Sequence, residues 1–133
     1  MSSPSTRYDQ HVHCWACPSA ASAGVCGWVH GVVSWWWWWP WLGQVAFDAT
    51  GKLVAVRVSA QLNGGFDADI SGFATWAFTH SVDQAYYAPH FDTSGEYLHT
   101  NTLTRTAARG PGDAQSAYVM ETILDHVASA SGA

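Results

Sequence analysis

The chain has 133 residues, 48% of them hydrophobic and only 11% charged, with a formal charge of −5. That length suits one domain that buries roughly two-thirds of its unfolded surface without covalent staples. Without a basic patch, duplex nucleic acid is excluded as a partner, because phosphate binding rests on clustered Lys and Arg.

The charge is unevenly placed. Residues 1–47 hold only Arg7 and Asp9, while residues 48–133 hold four basic and nine acidic side chains. Gln10 to Phe47 carries no formal charge at all. Pro18, Pro40 and three histidines interrupt this stretch, and tryptophan favours the bilayer interface over its centre, so a membrane span is rejected and interfacial membrane contact is kept as a minor alternative. Three cysteines leave one unpaired in any intramolecular disulfide scheme. The opening MSSPSTRYDQ shows no basic region followed by an apolar one, so the expected compartment is cytoplasmic.

Residues 1–10 read as a polar lead-in. Residues 11–128 read as a single α+β domain, made of a Cys/His/Trp-rich lobe (11–41), strands (42–106) and a helix (113–128). Residues 129–133 read as a frayed tail. The lobe, HVHCWACPSAASAGVCGWVHGVVSWWWWWPW, holds all three cysteines, three of the seven histidines and eight of the nine tryptophans.

The sharpest constellation in the lobe is Cys14-x2-Cys17-x8-Cys26-x3-His30. Two thiolates in a tight turn grip one ion, and a second pair across a loop completes a tetrahedron, which is a zinc composition. His11 and His13 are spare ligands. Two other readings stand beside zinc: buried inert thiols, and a redox couple at Cys14 and Cys17, although no βαβ context precedes it. The spacing is similar to that of the CDGSH iron–sulfur family, Cys-x-Cys-x8-Cys-x3-His, whose last two gaps match at Cys17, Cys26 and His30. The first pair here is CxxC, and Gly27-Trp28-Val29 stands where that family has Asp-Gly-Ser. The resemblance implies a [2Fe–2S] cluster as the alternative to zinc.

Val32–Trp39 is expected as a strand, ended by Pro40. Alternation then puts Trp35, Trp37 and Trp39 on one face and Trp36 and Trp38 on the other. Trp35, Trp37, Trp39 and Trp41 are the candidate contact surface for a protein partner or a second copy of the chain. The bland reading makes the same rings core.

Val45–Phe47 and Leu53–Leu62 flank Asp48-Ala49-Thr50-Gly51, a good hairpin connection. Val54, Val56, Val58, Ala60 and Leu62 share one face of the second strand. Leu53, Ala55, Arg57 and Ser59 share the other. Phe73–His80 is expected as a further strand, Ser81–Tyr87 as a helical turn or loop, and Asp92-Thr93-Ser94-Gly95 as a second turn. A threonine-rich strand, Tyr97–Arg105, leads to a loop over 107–112. A helix then opens on Asp113 and carries the stripe Val119, Met120, Ile123, Leu124 and Val127.

The expected fold is thus a small antiparallel sheet of four to five strands covered by the C-terminal helix, with an irregular Cys/His-rich N-terminal lobe. The expected function is a non-catalytic protein-interaction or assembly module, stabilised by zinc at Cys14, Cys17, Cys26 and His30. The alternative is a small enzyme or ligand-binding protein, using His80 or His99 with Asp83 or Asp92, or a metal, in an aromatic pocket. No G-x-S-x-G elbow, Walker loop or dinucleotide fingerprint is present.

Overall fold

The computed structural model describes residues 25–35, 37–106 and 108–132, and the surroundings of side chains from Pro40 onward. Strands β1 (Val25–Trp35) and β2 (Trp37–Phe47) form an antiparallel hairpin, in register from Val25↔Phe47 to Trp35↔Trp37. The tryptophan run therefore divides between two strands instead of forming one. Pro40 lies inside β2 opposite Val32, and pairing of β2 with the next strand starts only at Trp41. Proline is tolerated there because β2 has a neighbour on one side only.

The turn to β3 (Leu53–Gly65) is built on Asp48. Its Oδ1 accepts from the N–H groups of Thr50 (2.8 Å) and Lys52 (3.0 Å) and from the Thr50 hydroxyl (2.6 Å). Gly51 takes the left-handed φ of 81° that the turn needs. β2 and β3 then pair antiparallel through Val45↔Val56, with an irregularity at Ala46/Phe47.

The next segment departs from expectation. Phe73–His80 is not a strand but most of helix α1 (Ser71–Ser81). Trp76, Phe78 and His80 alternate as a strand would, yet the buried positions are Ser71, Ala74, Thr75, Ala77 and Phe78, with Val82 beyond, at helical spacing. Phe73, Trp76 and His80 fall on the outer side, with ring centroids 5.8 and 4.6 Å apart along the row.

β4 (His90–His99) absorbs the residues expected as a second turn and pairs parallel with β3, from Ala55↔His90 to Leu62↔Tyr97. A parallel return needs a long crossover, and α1 supplies it. Gly95 is thus no turn residue. A Cβ there would lie 2.9 Å from the methyls of both Thr75 and Thr79. The missing side chain is what lets α1 lie against the strand.

Helix α2 (Asp113–Ser131) turns Ser116, Val119, Met120, Ile123 and Val127 inward and ends on Gly132 in the left-handed conformation. Both helices cover one face of the sheet, whose order is β1-β2-β3-β4. The core joins Trp41, Val45, Phe47, Val56, Val58, Ala60 and Leu62 to Phe78, Val119, Met120 and Ile123. Burial of a Phe78-sized ring is worth about 3–5 kcal/mol against alanine. The opposite face of β3 and β4 is wet and polar, with Arg57 Nε 2.7 Å from Asp92 and Gln61 donating to Glu96 at 2.6 Å. An ion pair this exposed contributes about 1 kcal/mol at most.

The expected antiparallel sheet with an irregular Cys/His-rich lobe is therefore corrected to a four-stranded mixed sheet under two helices. Cys26 and His30 lie in regular strand β1, opposite Ala46 and Leu42. Cys14 and Cys17 lie outside the described residues. No helix among the described residues is long and apolar enough to cross a membrane.

Two outcomes follow from these turns. The Thr50 hydroxyl, then the Lys52 and Thr50 N–H groups, hold the Asp48 carboxyl below its ordinary 3.8. That stabilisation is present above 3.8 and is lost as pH falls through the lower folded value. Asp48→Ala should therefore melt below the parent at neutral pH, with the gap closing in acid, as read by thermal melts across pH. Gly112, at φ 88°, would place a Cβ 2.4 Å from the Ala74 carbonyl oxygen. Gly112→Ala should cost at least about 2 kcal/mol in denaturant unfolding.

Candidate functional site

The parallel pair fixes where a site can be. The ends of β3 and β4 lie side by side at Gly65↔His99, and each leads through a connection into a helix start. Ligands of open α/β sheets bind beyond such carboxyl ends.

The connection after β4 passes over the glycines that end β3. Thr100 N–H donates to Gly65 O (2.8 Å), Phe66 N–H to Thr102 O (3.0 Å) and Arg105 N–H to Gly64 O (3.2 Å). A Cβ on Gly65 would sit 2.4 Å from the Leu103 carbonyl oxygen, so only glycine admits this crossing. The Leu103 side chain itself stays 81% exposed.

Beyond Arg105 the chain turns into α2. Gly110 (φ 65°) and Gly112 (φ 88°) flank Pro111. Gly112 N–H donates to Gln115 Oε1 at 3.0 Å, and Ser116 N–H to Gly112 O at 2.9 Å. Residues 108–112, with Ala74 from α1 and Gln115 from α2, line a recess of about 20 Å³. Arg109 is exposed at its rim. From Leu98 to Gly112 there is no carboxylate, while Arg105 and Arg109 both lie there. A locally cationic loop running into a helix N-terminus attracts anionic groups.

A second network braces α2 against the end of α1. Ser81 Oγ donates to Asp113 Oδ1 at 2.9 Å, Gln84 Nε2 donates to Ser116 Oγ at 3.0 Å, and the Tyr86 hydroxyl donates to Glu121 at 2.8 Å. The bond to Glu121 favours the protonated phenol and raises the Tyr86 pKa above its ordinary value.

The residues singled out in the sequence do not converge on this recess. His80 stands on the outer side of α1, its Nδ1 donating to Trp76 O at 2.9 Å. His99 ends β4 edge-on to Tyr97, and Asp92 faces Arg57 on the open sheet face. Asp83 is exposed after α1. Cys26 and His30 are four positions apart on β1, about 13 Å at the strand rise. Among the described residues, no three His, Cys, Asp or Glu side chains gather to hold a metal ion. Of the candidate contact tryptophans, Trp41 is core, 5% exposed, with its ring over Gly43. Trp35, Trp37 and Trp39 are placed only by backbone, facing Trp37, Trp35 and Val33 across the hairpin. The sequence alone places Arg109 only within the loop over 107–112. Its signal was the carboxylate-free run ending in Gly-Pro-Gly before a helix.

The molybdopterin cofactor-binding domain family matches residues 42–133. An indole-3-acetaldehyde oxidase of Zea mays is 33% identical over 91 residues, covering 68% of this chain and 7% of that protein. A xanthine dehydrogenase of Emericella nidulans is 33% identical over 85 residues, covering 64% of this chain and 6% of that protein. Among solved structures, the aldehyde oxidoreductase of Desulfovibrio desulfuricans superposes with a TM-score of 0.66 at 21% identity, covering 72% of this chain and 11% of that one. The quinoline 2-oxidoreductase of Pseudomonas putida gives 0.63 at 20% identity, over 71% and 12%. The chain thus spans about 7% of the length of the curated relatives it matches. These findings overturn the expected zinc-stabilised interaction module, and the [2Fe–2S] alternative with it: the group this domain type binds is a molybdopterin. The chain belongs to the molybdopterin cofactor-binding domain family.

Proposed function

We propose that the chain forms one wall of the molybdopterin site of an oxidoreductase, with Arg109 and the start of α2 facing the cofactor. The observation that carries this reading is the recess at residues 108–112, where an arginine, two left-handed glycines and a helix N-terminus meet.

The residues present fit such a group as a partial cradle. Molybdopterin carries a phosphate, and the donors here are a guanidinium and the N–H groups of a helix start, both suited to an anion. Gly110, with nothing within 4 Å of where its Cβ would stand, leaves the backbone bare for close approach, while Gly112 is packed against α1. Asp113 adds an unfavourable carboxylate to the first turn, held towards α1 by the Ser81 hydroxyl that donates to it. At about 20 Å³ the recess has room for roughly one water, so it cannot enclose a pterin. The opposite wall then comes from a further domain or a partner, against which the exposed Leu103, Phe66 and Tyr118 are available to pack.

When bound, the molybdenum cofactor supplies the redox centre. The chain's own part is to hold the anionic end through Arg109 and keep it fixed relative to α2. By analogy with relatives named for aldehydes, xanthine and nicotinate, the substrate class is a small aldehyde or a nitrogen heterocycle. An odd number of cysteines favours a reducing, cytoplasmic setting.

Arg109→Gln tests the reading. A charge-assisted hydrogen bond contributes about 1.5–3 kcal/mol, so the variant should bind molybdopterin at least about tenfold more weakly in a fluorescence titration. Arg57→Gln, on the far sheet face, should bind as the parent does. Equal binding by the Arg109 variant would sink the proposal.

A further inference from the structure

We propose that Asn63 is the positioning residue for Arg109: its side-chain oxygen ties down the connection that carries Arg109 from β4 to α2. The inference rests on the cofactor reading above for its purpose, and on hydrogen bonds alone for its geometry.

Asn63 sits where the β3–β4 register shifts, between Asn63 and Gly65. Its Oδ1 accepts from the Thr100 hydroxyl (2.6 Å), the Gly65 N–H (3.1 Å) and, more weakly, the Thr102 hydroxyl (3.4 Å). A backbone N–H can only donate, so the atom facing Gly65 must be the amide oxygen. That fixes the orientation of the group. Thr100 and Thr102 also meet each other, hydroxyl to hydroxyl, at 2.9 Å. One oxygen at the end of β3 therefore gathers the glycine crossing and the first residues of the connection.

Three main-chain bonds also hold the connection, Thr100 N–H to Gly65 O, Phe66 N–H to Thr102 O and Arg105 N–H to Gly64 O, and the Asn63 oxygen braces the glycine and the threonines they run through. Arg105, the charged residue midway along the connection, buries its Nε without a hydrogen-bond partner. The far end is held separately, by Gly112 N–H on Gln115 Oε1. With Asn63 in place, the chain is fixed through Arg105 and again at Gly112, and Arg109 swings only between those points. With the clamp released, only the main-chain bonds hold the stretch from Thr100 to Arg105, and it opens more often. A longer free segment pays more ordering entropy when Arg109 engages a ligand, so affinity falls without any ligand contact being lost.

Asn63 acts here purely as an acceptor, which makes its replacements informative. Asn63→Asp keeps an acceptor in the same place, and Asn63→Leu keeps the shape but offers none. The first readout is trypsin cleavage of the native full chain after Arg105 and Arg109, relative to cleavage after Arg57 within β3, because native-state proteolysis reports local opening. Asn63→Leu should raise cleavage at the two connection sites about tenfold and weaken molybdopterin binding about fivefold, and Asn63→Asp should restore both. If Asn63→Leu does not fold, Thr100→Val with Thr102→Val removes the two hydroxyl donors instead and should open the same sites.

Unchanged cleavage in the Leu or double Val variant would overturn the inference, even if Arg109→Gln weakens binding. Failure of Asn63→Asp to restore protection would overturn it too, since the oxygen would not be what matters. Raised cleavage combined with unaltered binding by Arg109→Gln would leave the clamp standing, overturn the cofactor reading, and remove the purpose assigned to Asn63.

Discussion

The constraint on which the rest of this structure depends is that β3 and β4 run the same way. Antiparallel neighbours can be joined by a few residues, but a parallel return must travel the length of the sheet and back. Helix α1 makes that journey. Because both strands finish at the same end, the segments entering α1 and α2 start side by side there. The hairpin of β1 and β2 extends the sheet, and its closing pair Trp35↔Trp37 lies towards that same end. A single pairing choice, made between Ala55 and His90 and carried to Gly65 and His99, thus decides where a ligand can meet the backbone.

Holding two helices on one face of so small a sheet requires close approach, and the chain provides it with missing side chains. Gly95 admits the threonine methyls of α1, Gly43 admits the Trp41 ring and Ile123, and Gly112 admits the backbone of α1 at Ala74 and Phe78. The seams differ in kind. The first two are side-chain contacts that relax by small rotations. The third brings backbone against backbone, where little can give. The start of α2 is accordingly pinned to the middle of α1, and the recess at residues 108–112 inherits its shape from that crossing.

Much of the fold was legible where one local rule acted alone. The Asp48 turn, the alternation of Val56, Val58, Ala60 and Leu62, and the stripe of Val119, Met120, Ile123 and Val127 each read directly off spacing. Reading failed where two rules competed. Trp76, Phe78 and His80 alternate like a strand, while Ser71, Ala74, Thr75 and Phe78 bury like a helix, and small residues carry too little hydrophobic signal to prevail on paper. Gly95 imitated a turn because close packing and tight turning ask for the same residue. Cys26 and His30 belong to a strand, and Cys14 and Cys17 lie outside the described residues. Arg109 is inconspicuous in the sequence. A lone arginine beside Gly-Pro-Gly acquires meaning only once the topology brings it to the shared end of β3 and β4.

The distribution of charge has a kinetic side. The chain is acidic overall, yet from Leu98 to Gly112 it carries only Arg105 and Arg109. At physiological ionic strength fields decay over about 8 Å, so an anion drifting past the sheet or the outer helix surfaces meets weak repulsion and no reason to linger. Within that distance of the connection the sign reverses. On the proposed cofactor reading the chain is a short-range anion gate and not a broad attractor, because attraction begins only within the last nanometre of Arg105 and Arg109.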